Sequence, residues 1–175
     1  MIPHRRLRVL LPALALLAAC GGEPPPPPAL AGGATSLPAL GQLALTAFAR
    51  GDTLTLHRLR LSEEEHNTKV WPELPAADGF PVDLAWQNIE TRNRRALGRN
   101  LDWFRDREVE FADVRCDGET RRFARFSVRT DCWVRFRVDG DAQAEAQLFE
   151  EALEWRGTWK VFRWADEERV KVLER

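Results

Sequence analysis

The stretch "WVRFRV", Trp133 to Val138, alternates apolar and charged side chains without a slip. A period of two is the mark of a strand with one face buried and the other wet. Asp139-Gly140-Asp141 is a turn, and Ala142 to Glu154 reads as the returning strand. A bulge is expected in it near Leu148-Phe149, where the alternation slips. Arg156-Gly157 turns again into a strand from Thr158 to Trp164, and Val109 to Cys116 is a further one. The second half of the chain is thus expected to form an antiparallel sheet of four to five strands.

Upstream of Glu108 the period changes. Leu40, Leu43, Ala44, Ala47 and Phe48 recur at helical spacing, with Ser36 to cap the start, Pro38 in the tolerant first turn and Gly51 after the end. This predicts a helix over Leu37 to Arg50. Thr53 to Leu61 is of open type. Ser62-Glu63-Glu64-Glu65 is a capping box, in which the serine and the glutamate three residues later satisfy each other's backbone N–H groups. Its helix should end near Val70, because Trp71 precedes Pro72 and is biased away from the α region. Trp71 to Pro81 holds three prolines and a glycine and reads as a loop. Val82 to about Asn100 is the longest helix, and its apolar stripe of Val82, Trp86, Ile89, Ala96 and Leu97 is interrupted by Asn93. Helices first and an antiparallel sheet after is the α+β pattern, here N-terminal helices packed on a curved sheet.

The N-terminus reads as an address. Arg5, Arg6 and Arg8 precede an apolar run, Val9 to Ala19, too short to span a bilayer as a helix. Leu17-Ala18-Ala19-Cys20 resembles the lipobox of bacterial lipoproteins. That resemblance implies cleavage after residue 19, a lipid on Cys20 and an anchor in the cell envelope. Gly21, where that family's inner-membrane retention signal is usually Asp, implies the outer membrane, facing the periplasm. The alternative is a plain signal peptide with an incidental cysteine. Residues 20–36 then form a tether. Pro24 to Pro28 favours extended polyproline II and Gly32-Gly33 a flexible joint. A proline-rich ligand for a partner's aromatic groove is the rival reading. Residues 37–175 are expected to be one domain. Without the leader's three arginines, the chain's 26 basic residues fall to 23 against 27 acidic ones, a net −4. This is no footprint for a nucleic-acid binder.

The domain resembles the cone-shaped fold of the nuclear-transport-factor-2-like superfamily. The resemblance lies in Ala47-Phe48-Ala49-Arg50-Gly51-Asp52 at the end of the first helix, in the long third helix, and in the closing Gly157-Thr158-Trp159-Lys160-Val161. It implies a pocket inside the cone more than a particular chemistry.

Cys116 and Cys132 are an even pair and read as a disulfide if the domain sits in an oxidising envelope. A full strand between them would hold them about 26 Å apart. A bond therefore needs residues 117–131 to be an excursion between two paired strands, with Phe123 and Phe126 on a short helical turn. Two free buried thiols are the alternative.

No phosphate loop, HExxH, CxxC or nucleophile elbow is present. Glu63 and His66 have the spacing of a di-iron helix, but no second Glu-x-x-His exists, so no metal or cofactor is expected and both read as a solvated acidic turn. His57, Glu90, Asn93 and Asp131 are the polar residues placed to face the cone, Trp71 could plug its open end or line its mouth, and Trp86 could line the pocket. None has an evident orienting partner. Arg125, Arg129, Arg135 and Arg137 read as an outward face paired with Glu145 or Glu151. Three functions fit: a non-catalytic domain binding a small ligand or an envelope protein, a cyclase- or isomerase-type enzyme using His57 or a carboxylate as base, and an assembly role with a homodimer through the sheet.

Overall fold

The computed structural model describes residues 30–140, 142–167 and 170–174. The leader, Cys20 and the proline run lie outside these. Helix α1 spans Leu37–Arg50. Ser36 Oγ accepts from the Ala39 amide, and the chain leaves the helix at Gly51. Of the stripe the periodicity names, Leu40, Ala44, Ala47 and Phe48 are buried, whereas Leu43 is exposed and Leu45 is buried instead. The segment of open type is a second helix, α2 (Thr53–Leu59), capped by the Asp52 carboxylate on Thr55. Both arms of the Ser62/Glu65 capping box are formed at α3 (Glu63–Glu65).

Beyond α3 the backbone widens into a π-turn, His66–Val70, then tightens into 3-10 turns at Trp71–Glu73 and Pro75–Asp78. Trp71 stays in the right-handed region (φ −51°, ψ −45°), against the expectation from the following proline. A proline fits the opening turn because its missing N–H has no bond to make there. Helix α4 spans Val82–Phe104, past the expected end near Asn100. Phe104 accounts for the extra turn. It is fully buried and packs on Phe48 and Phe136 at ring distances of 5.8 and 5.5 Å.

The sheet has six strands rather than four to five: β1 (Val109–Cys116), β2 (Thr120–Arg122), β3 (Ser127–Val138), β4 (Ala142–Trp155), β5 (Thr158–Trp164) and β6 (Val170–Glu174). All pairings are antiparallel, in the order β1-β3-β4-β5, with β2 beside the start of β3 and β6 beside the start of β4. Cys132 pairs with Phe149 but Trp133 with Gln147, so Leu148 is the extra residue of a bulge. The slip read from the sequence is therefore real, and it turns both Leu148 and Phe149 inward, where they are fully buried. Arg156 (φ +50°) and Gly157 (φ +83°) form the two-residue hairpin between β4 and β5, a turn that requires left-handed backbone at both positions.

The main core lies between α1, α2, α4 and one face of the sheet, and Phe48, Phe104, Phe136, Phe149 and Trp164 fill it. A smaller core gathers Leu30, Leu61, Val70, Phe126, Val128, Leu153, Trp155 and Phe162. Leu30 belongs to the segment expected to be tether. Residues 30–34 instead lie strapped along β5: the Ala34 and Trp159 amides exchange hydrogen bonds of 2.8 and 2.7 Å. Gly33 (φ +83°) is no free joint, since a Cβ there would meet the Trp159 carbonyl oxygen at 2.6 Å. Leu30 is thus part of the folded core. The strap and the Leu61 amide on the Val161 carbonyl together cover the outer edge of β5.

Cys116 and Cys132 face each other in register and form a disulfide. The excursion between them is a β-hairpin, and the expected helical turn is absent. Phe123 and Phe126 close its tip with rings stacked at 4.5 Å, and Phe126 continues onto Trp155 at 5.9 Å. A strand pair brings the cysteines together as well as a helical turn would, because β3 doubles back on β2. Peptide mapping without reductant should recover the two cysteine peptides as one linked species. Replacing both cysteines by alanine should cost about 3 kcal/mol in denaturant unfolding.

Candidate functional site

The clearest cleft lies between α2 and α4. It has a volume of about 350 Å³ and is lined by Thr53, Leu56, His57, Glu90, Arg94, Leu97 and Leu101. The helical period that buries Ala96 leaves Leu97 and Leu101 at the stripe's edge, half-buried, so they floor an open groove with buried Leu56. A second hollow of about 380 Å³ continues the groove past Arg60, Ser62, Glu63 and Trp86, and His57 and Glu90 line both. Glu90 is ion-paired with Arg60, whose guanidinium lies over the Trp86 ring, 5.9 Å from its centroid. His57 is exposed and has no hydrogen-bond partner among the described residues. His57, Glu90 and Trp86 thus come together, on the flank of the helices rather than inside the sheet.

The remaining candidates are elsewhere. Asn93 is buried, and its Oδ1 accepts from the Trp164 amide at 2.9 Å. The polar break in the α4 stripe is therefore a fastener between α4 and the end of β5. Asp131 (φ +54°) accepts from Gln147 Nε2 at 3.1 Å and borders a small polar notch with Arg92, Glu150 and Asp166. Arg92 bridges Asp166 and Glu150 there, and its hydrogen bond holds the Asp166 carboxyl below its ordinary range. Trp71 is half-buried and packs between His66 and Phe80.

The acidic turn at α3 is solvated only at Glu63 and Glu64. Glu65 and His66 are both buried, and so is Lys160 of β5. The Lys160 ammonium donates to Glu65 Oε2 at 2.6 Å. The same oxygen takes the Ser62 amide at 3.0 Å, and Oε1 takes the Ala31 amide at 2.7 Å. Burial alone would push the Glu65 carboxyl up; these three donors outweigh it and hold it below its usual range. The capping box marks Glu65 in the sequence, but nothing local shows that its carboxylate also faces a lysine 95 residues away.

On the outer face of the sheet, Glu145 takes Arg115 at 2.8 Å and Lys171 at 3.6 Å, while Glu151 takes Arg163 at 2.8 Å and also Arg121. Trp133 lies beneath Arg115 and Lys171. The face is a ladder of opposed charges with cations on aromatic rings, but Glu145 and Glu151 take other cations than the four arginines expected from the sequence: Arg125 goes to Glu73, Arg137 to Glu110 and Arg129 to the Trp159 ring.

No family model, curated protein or solved structure matches this chain. No helix among the described residues is long and apolar enough to cross a membrane. The geometry of the chain itself therefore carries the functional argument. Asn93→Leu should lower stability by about 1–3 kcal/mol, because it strands the Trp164 amide in the core. Thermal and urea unfolding would show this, with the α2/α4 groove unaltered.

Proposed function

We propose that this chain is a lipid-anchored protein of the bacterial envelope whose domain binds a small, largely apolar ligand without transforming it. The observation that carries the binding reading is the α2/α4 groove. It has an apolar floor of Leu56, Leu97 and Leu101 and a few polar groups, Thr53, His57, Glu90 and Arg94, at its rim. This is the usual composition of a small-molecule site, with the apolar part supplying affinity and the polar part orientation. The cyclase- or isomerase-type alternative needs a poised base. Glu90 is already engaged by Arg60, and His57 lacks a group to orient it, which favours binding over catalysis.

The anchor reading rests on Leu17-Ala18-Ala19-Cys20. Nine residues separate Cys20 from Leu30, a reach of about 35 Å at most over the ten steps. The cone form of the nuclear-transport-factor-2-like superfamily is the finer fold proposal. Helices followed by an antiparallel sheet with a long α4 against β5 are consistent with it, although large aromatic side chains fill the space between helices and sheet. The sheet's charge-paired outer face gives a homodimer less support than the groove gives a ligand.

The test is native mass spectrometry of the chain from Gly21 onward, exported to an oxidising periplasm. A retained small molecule, lost in Leu97→Glu, is the expected result. An empty wild-type protein, or a mass retained equally by Leu97→Glu, would remove the groove as the binding site.

A further inference from the structure

His66 is fully buried, and its ring lies among Trp71, Trp86 and Phe162, with centroids 5.7, 5.3 and 6.0 Å away. Nδ1 faces Asn67 Oδ1 at 2.6 Å, which assigns the proton of the neutral ring to Nδ1. Among the described residues no group hydrogen-bonds to the buried Nε2. A neutral imidazole tolerates this position, since it presents only a lone pair to the aromatic box. An imidazolium would bring a second N–H and a full charge there with no acceptor.

The charged groups around the box do not remedy this. Glu65 is occupied by Lys160 and two backbone amides. Glu90 is taken by Arg60 beside Trp86, and Glu73 by Arg125 beyond Trp71. Lys69 lies on the same π-turn. Burial outweighs the Asn67 hydrogen bond and the Glu63 charge, which both favour the cation, so the ring's pKa lies below its ordinary value.

His66 opens the π-turn and directly follows Glu65, the residue that grips the strap through the Ala31 amide. π-turns inside helices are rare and concentrate at functional positions. We propose that His66 is an acid-operated latch: protonation at Nε2 drives the ring out of the aromatic box, unwinds the His66–Val70 turn and withdraws Glu65 from Ala31, so that residues 30–34 leave the edge of β5. In the anchored protein the freed segment to Ser36 would lengthen the tether by about 23 Å. That consequence rests on the anchor reading; the latch does not.

The sign follows from linkage. The open form takes up a proton near pH 6.5 and the closed form only at lower pH, so closure weakens as pH falls below about 6.5, roughly tenfold per unit until the closed form also titrates. The test is amide exchange of the full chain at pH 7.5 and 5.5, corrected for intrinsic rates. Protection of the Ala31 and Ala34 amides should drop about tenfold, while Val134 and Phe136 keep theirs. His66→Phe, which suits an aromatic box, should remove the drop. The idea is overturned if strap protection does not change with pH, if the sheet amides lose protection in parallel, or if His66→Phe still shows the drop. Should that variant fail to fold, the imidazole resonances of the wild type decide: titration at or above pH 6.5 overturns the latch, and titration below it is the expected result.

Discussion

The Glu65 carboxylate holds together parts of the fold that are far apart in sequence. One oxygen closes the α3 capping box and takes the Lys160 ammonium; the other fixes the strap through Ala31. Two charges taken out of water repay their desolvation only when their remaining hydrogen-bonding capacity is satisfied. Here the carboxylate is satisfied on both oxygens, so α3, the strap and β5 must assemble together. The covered edge of β5 and the small core around Trp155 and Phe162 both depend on that assembly.

How much of this was legible depended on the range of the signal. Period-two alternation placed the second half of β3, the turns after it placed β4 and β5, and the slip at Leu148-Phe149 located the bulge, because alternation and its slip report which side chains face inward. The caps at Ser36 and Ser62 were readable because their partners lie within three residues. Three features were not readable for the opposite reason. Gly32-Gly33 looks like a joint until β5 is brought beside it. His66 looks solvated until Trp71, Trp86 and Phe162 close around it. The 117–131 excursion looks helical from Phe123 and Phe126, whereas the ladder with β3 decides its form.

For the candidate site, the sequence named His57, Trp86 and Glu90, and these do share one groove. It placed them facing the interior of a cone, where Phe104, Phe136, Phe149 and Trp164 in fact pack. The groove opens instead between α2 and α4, where the long helix turns its half-buried leucines toward a second helix whose existence the sequence left open. Asn93 is buried as its place in the stripe required, but its role is to hold Trp164 rather than a ligand.

The most direct measurement of the central claim is a double-mutant cycle in urea unfolding: wild type, Glu65→Leu, Lys160→Met and the pair. Each single variant strands a buried charge and should lose about 3–5 kcal/mol. The double variant should be no worse than either single one, a coupling of about 3 kcal/mol or more. Losses that simply add would contradict the account, and would mean that the strap, α3 and β5 are held together by packing alone.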